Sequence, residues 1–177
     1  MSFAPFLLAA ALSFHLQDTA GAWHDAAEWR GAKAVVLAFI SIDCPISNSY
    51  APELQRVHAD YAKRGVQFYA VQPDPDRALE DVQKYVADFG YTFPLLLDPH
   101  QTLTRAARAT IMPQVVVLAP QGEILYSGRI DDRYISIGNA RYAATRNDLR
   151  EALDAVLAGK PVAHAKTQAV GCVIPQP

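Results

Sequence analysis

Apolar residues are spaced along this chain in two ways that alternate from one end to the other. Continuous runs rich in valine, isoleucine and aromatic residues predict strands buried on both faces, whereas apolar residues every three or four positions predict helices with one buried face. Strands are predicted at 33–40, 66–71, 93–97, 114–118 and 123–127, and helices at 47–64, 76–89, 103–109 and 145–158. The apolar–polar alternation at 14–21, which ends in a glycine, predicts a short β-hairpin before the first strand.

This order of elements predicts the α/β fold class. Strands that alternate with helices form a parallel sheet through right-handed crossovers, and the late hairpin adds antiparallel strands. We therefore expect a mixed central β-sheet flanked by helices on both faces, with an N-terminal β-hairpin extension. The length of 177 residues suits one domain. We assign that domain to 14–160, between an N-terminal segment 1–13 and a C-terminal tail 161–177.

Composition and charge narrow the function classes. Hydrophobic residues make up 51% of the chain, which argues against general disorder. The formal net charge of −2 and the interleaving of arginines with acidic residues argue against a nucleic-acid partner. No apolar run reaches the roughly 18–20 residues of a membrane span. Two cysteines are too few for a four-cysteine zinc site, but they suffice for one disulfide or one redox couple.

The N-terminal segment 1–13 is apolar, uncharged and rich in alanine, which is typical of the hydrophobic stretch of a secretory signal. Triplets of mostly small residues that could serve as cleavage sites lie at 9–11, 11–13 and 20–22. Our first hypothesis is an exported protein, for example a periplasmic one. The alternative is a cytoplasmic protein that retains this segment as an N-terminal arm.

Cys44 is the first residue with a chemical prediction attached to it. It follows a buried strand, and Pro45 is suited to the first position of the helix that comes next. At such a position, the free backbone N–H groups and the helix dipole stabilise a thiolate, which makes a cysteine nucleophilic near neutral pH. The neighbouring Asp43 acts in the opposite direction, because an adjacent anion raises the pKa of a thiol.

Several short motifs resemble those of a known superfamily in order and spacing. They are Phe14-x-Leu-x-Asp-x-x-Gly21, Gly31-x-Lys-x-Val-Val-Leu-x-Phe39, Cys44-Pro-Ile-Ser47, Phe93-Pro-Leu-Leu-Leu-Asp98 and Met112-Pro-Gln-Val-Val-Val-Leu118, followed by Gly122 in the next turn. From about residue 14 to residue 158 the chain resembles the thioredoxin fold. Within that fold it is most similar to the redoxin and alkyl-hydroperoxide-reductase/thiol-specific-antioxidant superfamily.

This resemblance implies roles for particular residues. Cys44 is the attacking thiol, with Pro45 beside it, and Pro113 is a cis-proline that faces it. In this fold the cis-proline presents the backbone of the preceding residue, here Met112, to an extended partner. The implied activity is thiol–disulfide exchange with a protein dithiol or disulfide, by a monomer or weak dimer that needs no cofactor and no metal.

Two departures from the family patterns keep a second activity open. Thioredoxin-like reductases carry a second cysteine where this chain has Ser47, so the usual disulfide within that motif cannot form. Peroxiredoxins carry a proline where this chain has Leu37, but Ser41 supplies their hydroxyl. The arginine that positions their peroxide has no counterpart at 112–115, and Arg129 or Arg133 would have to replace it. A peroxiredoxin-like thiol peroxidase acting on a hydroperoxide is therefore the alternative.

Cys172, in the tail, is the candidate that completes the redox cycle. An extended tail of this length reaches tens of ångströms, so Cys172 could attack an intermediate on Cys44 as the resolving thiol. The alternatives are a separate exposed thiol and a disulfide between two chains.

The charged segment 128–133 gives a further set of candidates. Arg129 could stabilise a thiolate or bind an anion, and Asp131 and Asp132 could shuttle protons, or these residues could form a solvated loop. The competing class is a copper-binding chaperone that uses the two cysteines with one of four histidines, at positions 24, 58, 100 and 164. A third class is a redox-inert binding module built on the same fold.

Overall fold

The computed structural model describes residues 12–175 of the chain. The strands are β1 His15–Gln17, β2 Trp23–Asp25, β3 Ala34–Phe39, β4 Val66–Gln72, β5 Leu95–Leu97, β6 Ile111–Met112, β7 Gln114–Leu118, β8 Ile124–Gly128, β9 Tyr134–Ser136, β10 Asn139–Ala140 and β11 Cys172–Val173. The α-helices are α1 Pro45–Tyr61, α2 Leu79–Phe89, α3 Thr102–Ala106 and α4 Asp148–Leu157. Among residues 12–175, none of these helices is long and apolar enough to cross a membrane.

The central sheet has five strands in the order β5-β4-β3-β7-β8. Strand β3 pairs in parallel with β4, and β4 with β5, while β7 runs antiparallel to both β3 and β8. All six residues of β3 are buried, as expected for a continuous apolar run at the centre of a sheet. The prediction of a mixed α/β sheet is confirmed.

Each face of the sheet packs against its own core. Val36 and Ala38 of β3 point into a core that includes buried residues of α1, α2 and α4. Val35 and Leu37 point the other way, into a core that α3 and the fully buried Trp29 complete. Successive residues of a strand face opposite sides, so one strand serves both cores. Helices therefore cover both faces, as the sequence predicted.

The N-terminal hairpin is formed by β1 and β2, which pair antiparallel. Its turn is closed by Asp18, whose carboxylate accepts hydrogen bonds from the backbone N–H groups of Ala20 and Ala22 at 2.9 Å each. Just before the hairpin, Phe14 packs on Trp29 with their ring centroids 5.4 Å apart. The predicted hairpin is confirmed, whereas the first eleven residues of the predicted signal segment lie outside the described residues.

All four predicted helices have different ends in the structure. Helix α1 covers Pro45–Tyr61 rather than 47–64, and at α2 and α4 local hydrogen bonds compete with the helix. Helix α2 begins at Leu79 rather than 76, since the Asp74 carboxylate accepts hydrogen bonds from the Asp76 N–H and the Arg77 side chain. Helix α3 covers only Thr102–Ala106, and Arg108 just beyond it has a φ of +56°. Helix α4 begins at Asp148 rather than 145, because Asp132 holds the preceding N–H groups.

The C-terminal tail is held against the domain by backbone hydrogen bonds. The Ser127 N–H donates to the Ala165 carbonyl at 2.9 Å, and the Thr167 N–H donates to the Ser127 carbonyl at 3.1 Å, so the tail runs beside β8. It then crosses to β6, where β11 forms a two-stranded antiparallel sheet. The tail thus brings the second cysteine to the carboxyl end of β3, where the first one lies.

Candidate active site

Cys44 is the N-cap residue of α1, with Pro45 as the first helical residue, as the sequence predicted. Its N–H donates to the Ser41 carbonyl at 3.2 Å, and its carbonyl accepts from the Asn48 N–H at 2.9 Å. These bonds hold the turn between β3 and α1 and leave the first N–H groups of the helix without intrahelical partners. Since those groups and the helix dipole favour negative charge, the position suits a thiolate on the reduced protein.

Ser41 and Ser47 lie in this same turn, and both are buried. The Ser47 hydroxyl oxygen accepts a hydrogen bond from the Ser41 N–H at 3.3 Å. The Ser41 hydroxyl oxygen in turn accepts from the Asp43 N–H at 3.3 Å. Both side chains therefore brace the turn that carries Cys44, and each does so through a backbone N–H group.

The charge of Asp43 is balanced by an arginine that sequence reasoning did not identify. Arg77, from the segment before α2, lies 2.5 Å from an Asp43 carboxylate oxygen and 2.8 Å from one of Asp74. The ion pair offsets the repulsion that Asp43 alone would exert on a thiolate at Cys44.

Cys44 and Cys172 are joined by a disulfide that spans 128 residues of sequence. Their Cα atoms are 6.1 Å apart, within the usual range for such a bridge. Cys44 is 1% exposed, and its Sγ lies 3.2 Å from the Met112 carbonyl oxygen. The peptide bond between Met112 and Pro113 is cis. The structure therefore brings four predicted site residues together: the two cysteines, Met112 and Pro113.

Two glycines allow the tail to reach this place, and the sequence reasoning assigned neither of them a role. A methyl group at Gly171 would overlap the carbonyl of Met112 and come within 3.0 Å of the Pro113 ring. A methyl group at Gly128, in β8, would overlap the Thr167 hydroxyl and backbone. The signal that could have found Gly171 is its position directly before a cysteine.

The structure does not bring Arg129 to the cysteines by any hydrogen bond among the described residues. Its guanidinium pairs with Asp148 at the start of α4, with Nε 2.8 Å from a carboxylate oxygen, and this partner raises the pKa of Arg129. Arg133 is the arginine that reaches α1. It donates to the Ser49 carbonyl at 3.1 Å and lies over the Tyr50 ring, 4.4 Å from its centroid.

The two predicted acidic candidates act on separate helices. Asp131 accepts a hydrogen bond from the Tyr50 hydroxyl of α1, and burial together with this carboxylate raises the pKa of Tyr50. Asp132 accepts from the N–H groups of Thr145 and Arg146 ahead of α4. Burial acts to raise the pKa of Asp132, but these donors and the Thr145 hydroxyl outweigh it and lower the value to about 2.

Two of the histidines considered as copper ligands have other partners. His24 lies 3.1 Å from Asp18 and 2.9 Å from Glu28. His58 bonds to the Thr92 hydroxyl, and burial lowers the pKa of His58. Within residues 12–175, no three or more histidine, cysteine, aspartate or glutamate side chains are grouped so that they could hold a metal ion.

Gln72, at the end of β4, was not singled out by sequence analysis. It is 1% exposed, and neither atom of its side-chain amide has a hydrogen-bond partner among the described residues. It lines a cavity of about 200 Å³, together with Asp74, Arg77 and Leu97. Arg77 also pairs with Asp43, so this cavity adjoins the turn that carries Cys44.

The chain is similar both to proteins of established activity and to proteins of known structure. The thiol-disulfide oxidoreductase ResA of Halalkalibacterium halodurans is 27% identical over 115 residues, which are 65% of this chain and 64% of the relative. The match spans 47–64% of the length of the curated relatives, all of them ResA proteins. A hypothetical protein of Sinorhizobium meliloti 1021, known from its crystal structure, is 33% identical with a TM-score of 0.83, over 93% of this chain and 91% of the other.

A secreted disulfide oxidoreductase of Mycobacterium tuberculosis shares the fold. The TM-score is 0.61 at 22% identity, over 85% of this chain and 98% of the other. A sequence model described as the AhpC/TSA family matches residues 8–127, which is more than half of the chain. The protein has a thioredoxin-like fold and belongs to the AhpC/TSA family.

Proposed function

We propose that this protein is a thiol–disulfide oxidoreductase of the redoxin type, with Cys44 as the attacking thiol and Cys172 as the resolving thiol. The observation that carries the proposal is the disulfide between a buried helix N-cap cysteine and a cysteine 128 residues away. The ResA relatives are thiol-disulfide oxidoreductases, which supports the same activity class.

The exchange has two steps. The Cys44 thiolate attacks one sulfur of a partner disulfide, a mixed disulfide forms, and the second partner sulfur leaves as a thiolate. The Cys172 thiolate then attacks the Cys44 sulfur, which forms the Cys44–Cys172 disulfide and releases the first partner sulfur as a thiolate. The partner gains two electrons and this protein loses two, so no further reactant is needed.

The other candidate residues support these steps from their places. Ser41 and Ser47 fix the turn that carries Cys44, and Arg77 offsets the charge of Asp43. Met112 and Pro113 border the site and contribute to the binding of the partner, together with Pro45, which is exposed at the start of α1. Arg129 acts through Asp148 on the start of α4 and does not touch the reacting atoms.

We further propose that the protein works after export, for example in a periplasm, as a monomer or weak dimer. A disulfide between two redox cysteines persists in oxidising compartments. Leu12 and Phe14 are both buried in the core that contains Trp29, so cleavage after residue 11 would keep both side chains, whereas cleavage after residue 13 would keep Phe14 and remove Leu12. Cleavage after residue 22 would remove β1 and the packing of Phe14 on Trp29.

The test mixes reduced protein with a peptide that carries one intramolecular disulfide and follows both partners by mass spectrometry with thiol trapping. The wild-type protein should reduce one peptide per chain and acquire the Cys44–Cys172 disulfide. Cys44→Ser should not react, and Cys172→Ser should stop as a mixed disulfide at Cys44. Catalytic consumption of a hydroperoxide through a sulfenic acid at Cys44, without reduction of the peptide, would instead establish the peroxidase and overturn the proposal.

A further inference from the structure

The backbone edge of β6 is filled by the chain's own tail. Cys172 lies opposite Met112 and Val173 opposite Ile111 in the antiparallel pair. One residue further, the Ile174 N–H donates to the Thr110 carbonyl at 3.0 Å. The tail is thus an extended strand added to β6, in the register that places a cysteine on Cys44.

The residues of this tail strand differ in how closely the rest of the protein packs around them. Gly171 has no space for a Cβ atom, because the Met112 carbonyl and the Pro113 ring occupy it. Val173, after the cysteine, is 70% exposed. Ile174 is 2% exposed and belongs to the core that contains Leu103 and Met112. The groove therefore requires glycine before the cysteine, accepts varied residues after it, and buries an apolar side chain at the next position.

This inference rests on the proposed function, in which the Met112 backbone receives an extended partner segment. We propose that the tail is an internal competitor for that β6 groove, and that the fit of the tail shows which residues the groove accepts around a partner's cysteine. The partner class is an extended polypeptide segment in which glycine precedes the reactive cysteine and an apolar residue stands two positions after it. Such a segment pairs with β6 as an added strand, where backbone hydrogen bonds supply affinity and the two flanking positions supply specificity.

The shared groove couples resolution to product release. While the mixed disulfide exists, the partner segment lies on β6 and the tail is displaced. When Cys172 attacks the Cys44 sulfur, the tail strand returns to β6 and takes the place of the partner, whose sulfur leaves as a thiolate. The redox balance is that of the two exchange steps above.

The first test measures which segments Cys44 captures, with the full-length Cys172→Ser protein in its reduced form. The probe is a peptide with the sequence of residues 170–175, whose cysteine is linked by a disulfide to thionitrobenzoate. The Cys44 thiolate attacks the peptide sulfur, and the coloured thionitrobenzoate thiolate leaves. We expect the peptide with glycine before cysteine to react about tenfold faster than the same peptide with alanine there.

The second test alters the tail itself, at Gly171. On the Cys172→Ser background, Gly171→Ala should accelerate capture of the glycine peptide several-fold, because a tail that no longer fits leaves the groove open. With both cysteines present, Gly171→Ala should slow closure of the Cys44–Cys172 disulfide. A fault in folding would lower both rates, whereas competition for one groove moves them in opposite directions.

Gly159→Ala is the matched control. It makes the same chemical change at a glycine with a φ of +66° and no atom within 4 Å of the added carbon, after α4. Both rates should stay at the parent value. If the two peptides were captured at equal rates, or if Gly171→Ala did not change the rate of capture, the proposal of competition for the groove would be wrong. The proposed function would remain intact. If the Cys172→Ser protein released no more thionitrobenzoate than Cys44→Ser, the proposed function itself would fall.

Discussion

The two cysteines of this protein are held by different means. Cys44 stands between the central strand of a five-stranded sheet and a 17-residue helix, and its surroundings belong to the main core. Cys172 stands in a two-residue strand, and its segment is held by backbone hydrogen bonds, by the close fit of two glycines and by the buried side chain of Ile174. Both cysteines have a fixed position in the disulfide form, but the segment around Cys44 buries more apolar surface than the segment around Cys172.

This difference fits the unequal tasks that we propose for the two thiols. An attacking thiol gains from a fixed position at a helix N-terminus, where its charge is stabilised without rearrangement. A resolving thiol must leave the site while a partner is bound and then return. Segments that open easily are those with few buried apolar contacts, because the free energy of local opening is small there.

The largest expected effect comes from breaking the covalent link between the two regions. By the chain-entropy relation, a disulfide that closes a 128-residue loop stabilises the folded chain by about 5 kcal/mol. We expect reduction to lower the free energy of unfolding by up to this amount in urea titrations. Cys44→Ser and Cys172→Ser should show no dependence on reductant. An unchanged denaturation midpoint for the wild type would contradict this account.

A core substitution on the helix that follows Cys44 should destabilise the protein more than a surface substitution next to Cys172. Leu54 on α1 is fully buried, so Leu54→Ala should destabilise the reduced protein by about 2–5 kcal/mol. Val173 is 70% exposed, so Val173→Ala should change stability by less than about 0.5 kcal/mol. Denaturant unfolding of both variants, side by side, measures the difference. Similar losses would mean that the tail contributes to the core as strongly as α1 does.

A substitution in β8, beside which the tail runs, should slow the reaction of Cys172 and leave the reaction of Cys44 unchanged. In Gly128→Ala the new methyl group must displace Thr167, whose hydroxyl contacts the Tyr126 hydroxyl at 2.7 Å and accepts from the Arg129 N–H at 3.1 Å. We expect a loss of about 1–3 kcal/mol in the oxidised form and slower disulfide closure.

Alkylation of Cys44 in the reduced Gly128→Ala protein should proceed at the wild-type rate. Gly138→Ala serves as a control for loss of stability without a clash, since its φ of +78° disfavours alanine but nothing lies within 4 Å of the added carbon there. Slower alkylation of Cys44 in Gly128→Ala would show that the two regions are not independent.

The smallest effect is expected at the hairpin beside β5, at the opposite edge of the sheet from the tail. Burial acts to lower the pKa of His24, but Glu28 and Asp18 outweigh it and hold the pKa above its ordinary value. The resulting stabilisation is present below the ordinary histidine pKa and is lost as the pH rises through the raised one. The pKa of Asp18 is lowered, so its contribution is lost as the pH falls through that lowered value.

Thermal unfolding across pH should therefore show a stabilisation of at most about 1 kcal/mol between these two limits. His24→Gln should remove the part lost at higher pH and leave the rates of both cysteines unchanged. A change in either rate would mean that the hairpin communicates with the site.

The order of strands and helices and the place of Cys44 could be predicted from the sequence, because each depends on neighbours along the chain. Periodicity separated strands from helices, and Pro45 marked the first turn of α1. The helix starts at Leu79 and Asp148 were predicted too early, since the carboxylates of Asp74 and Asp132 hold N–H groups in ways that hydrophobic spacing does not reveal.

The position of the tail could be known only from the folded structure. Its proline, alanine and lysine residues show no periodicity, and its order arises from hydrogen bonds to strands distant in sequence. The partner of Arg129 was likewise unpredictable, because Asp148 is 19 residues away while Asp131 and Asp132 are much nearer along the chain. Its neighbours along the chain place Cys44 at the start of α1. That Cys172 meets it across 128 residues, next to a Gly171 with no room for a side chain, depends on contacts that form when the chain folds.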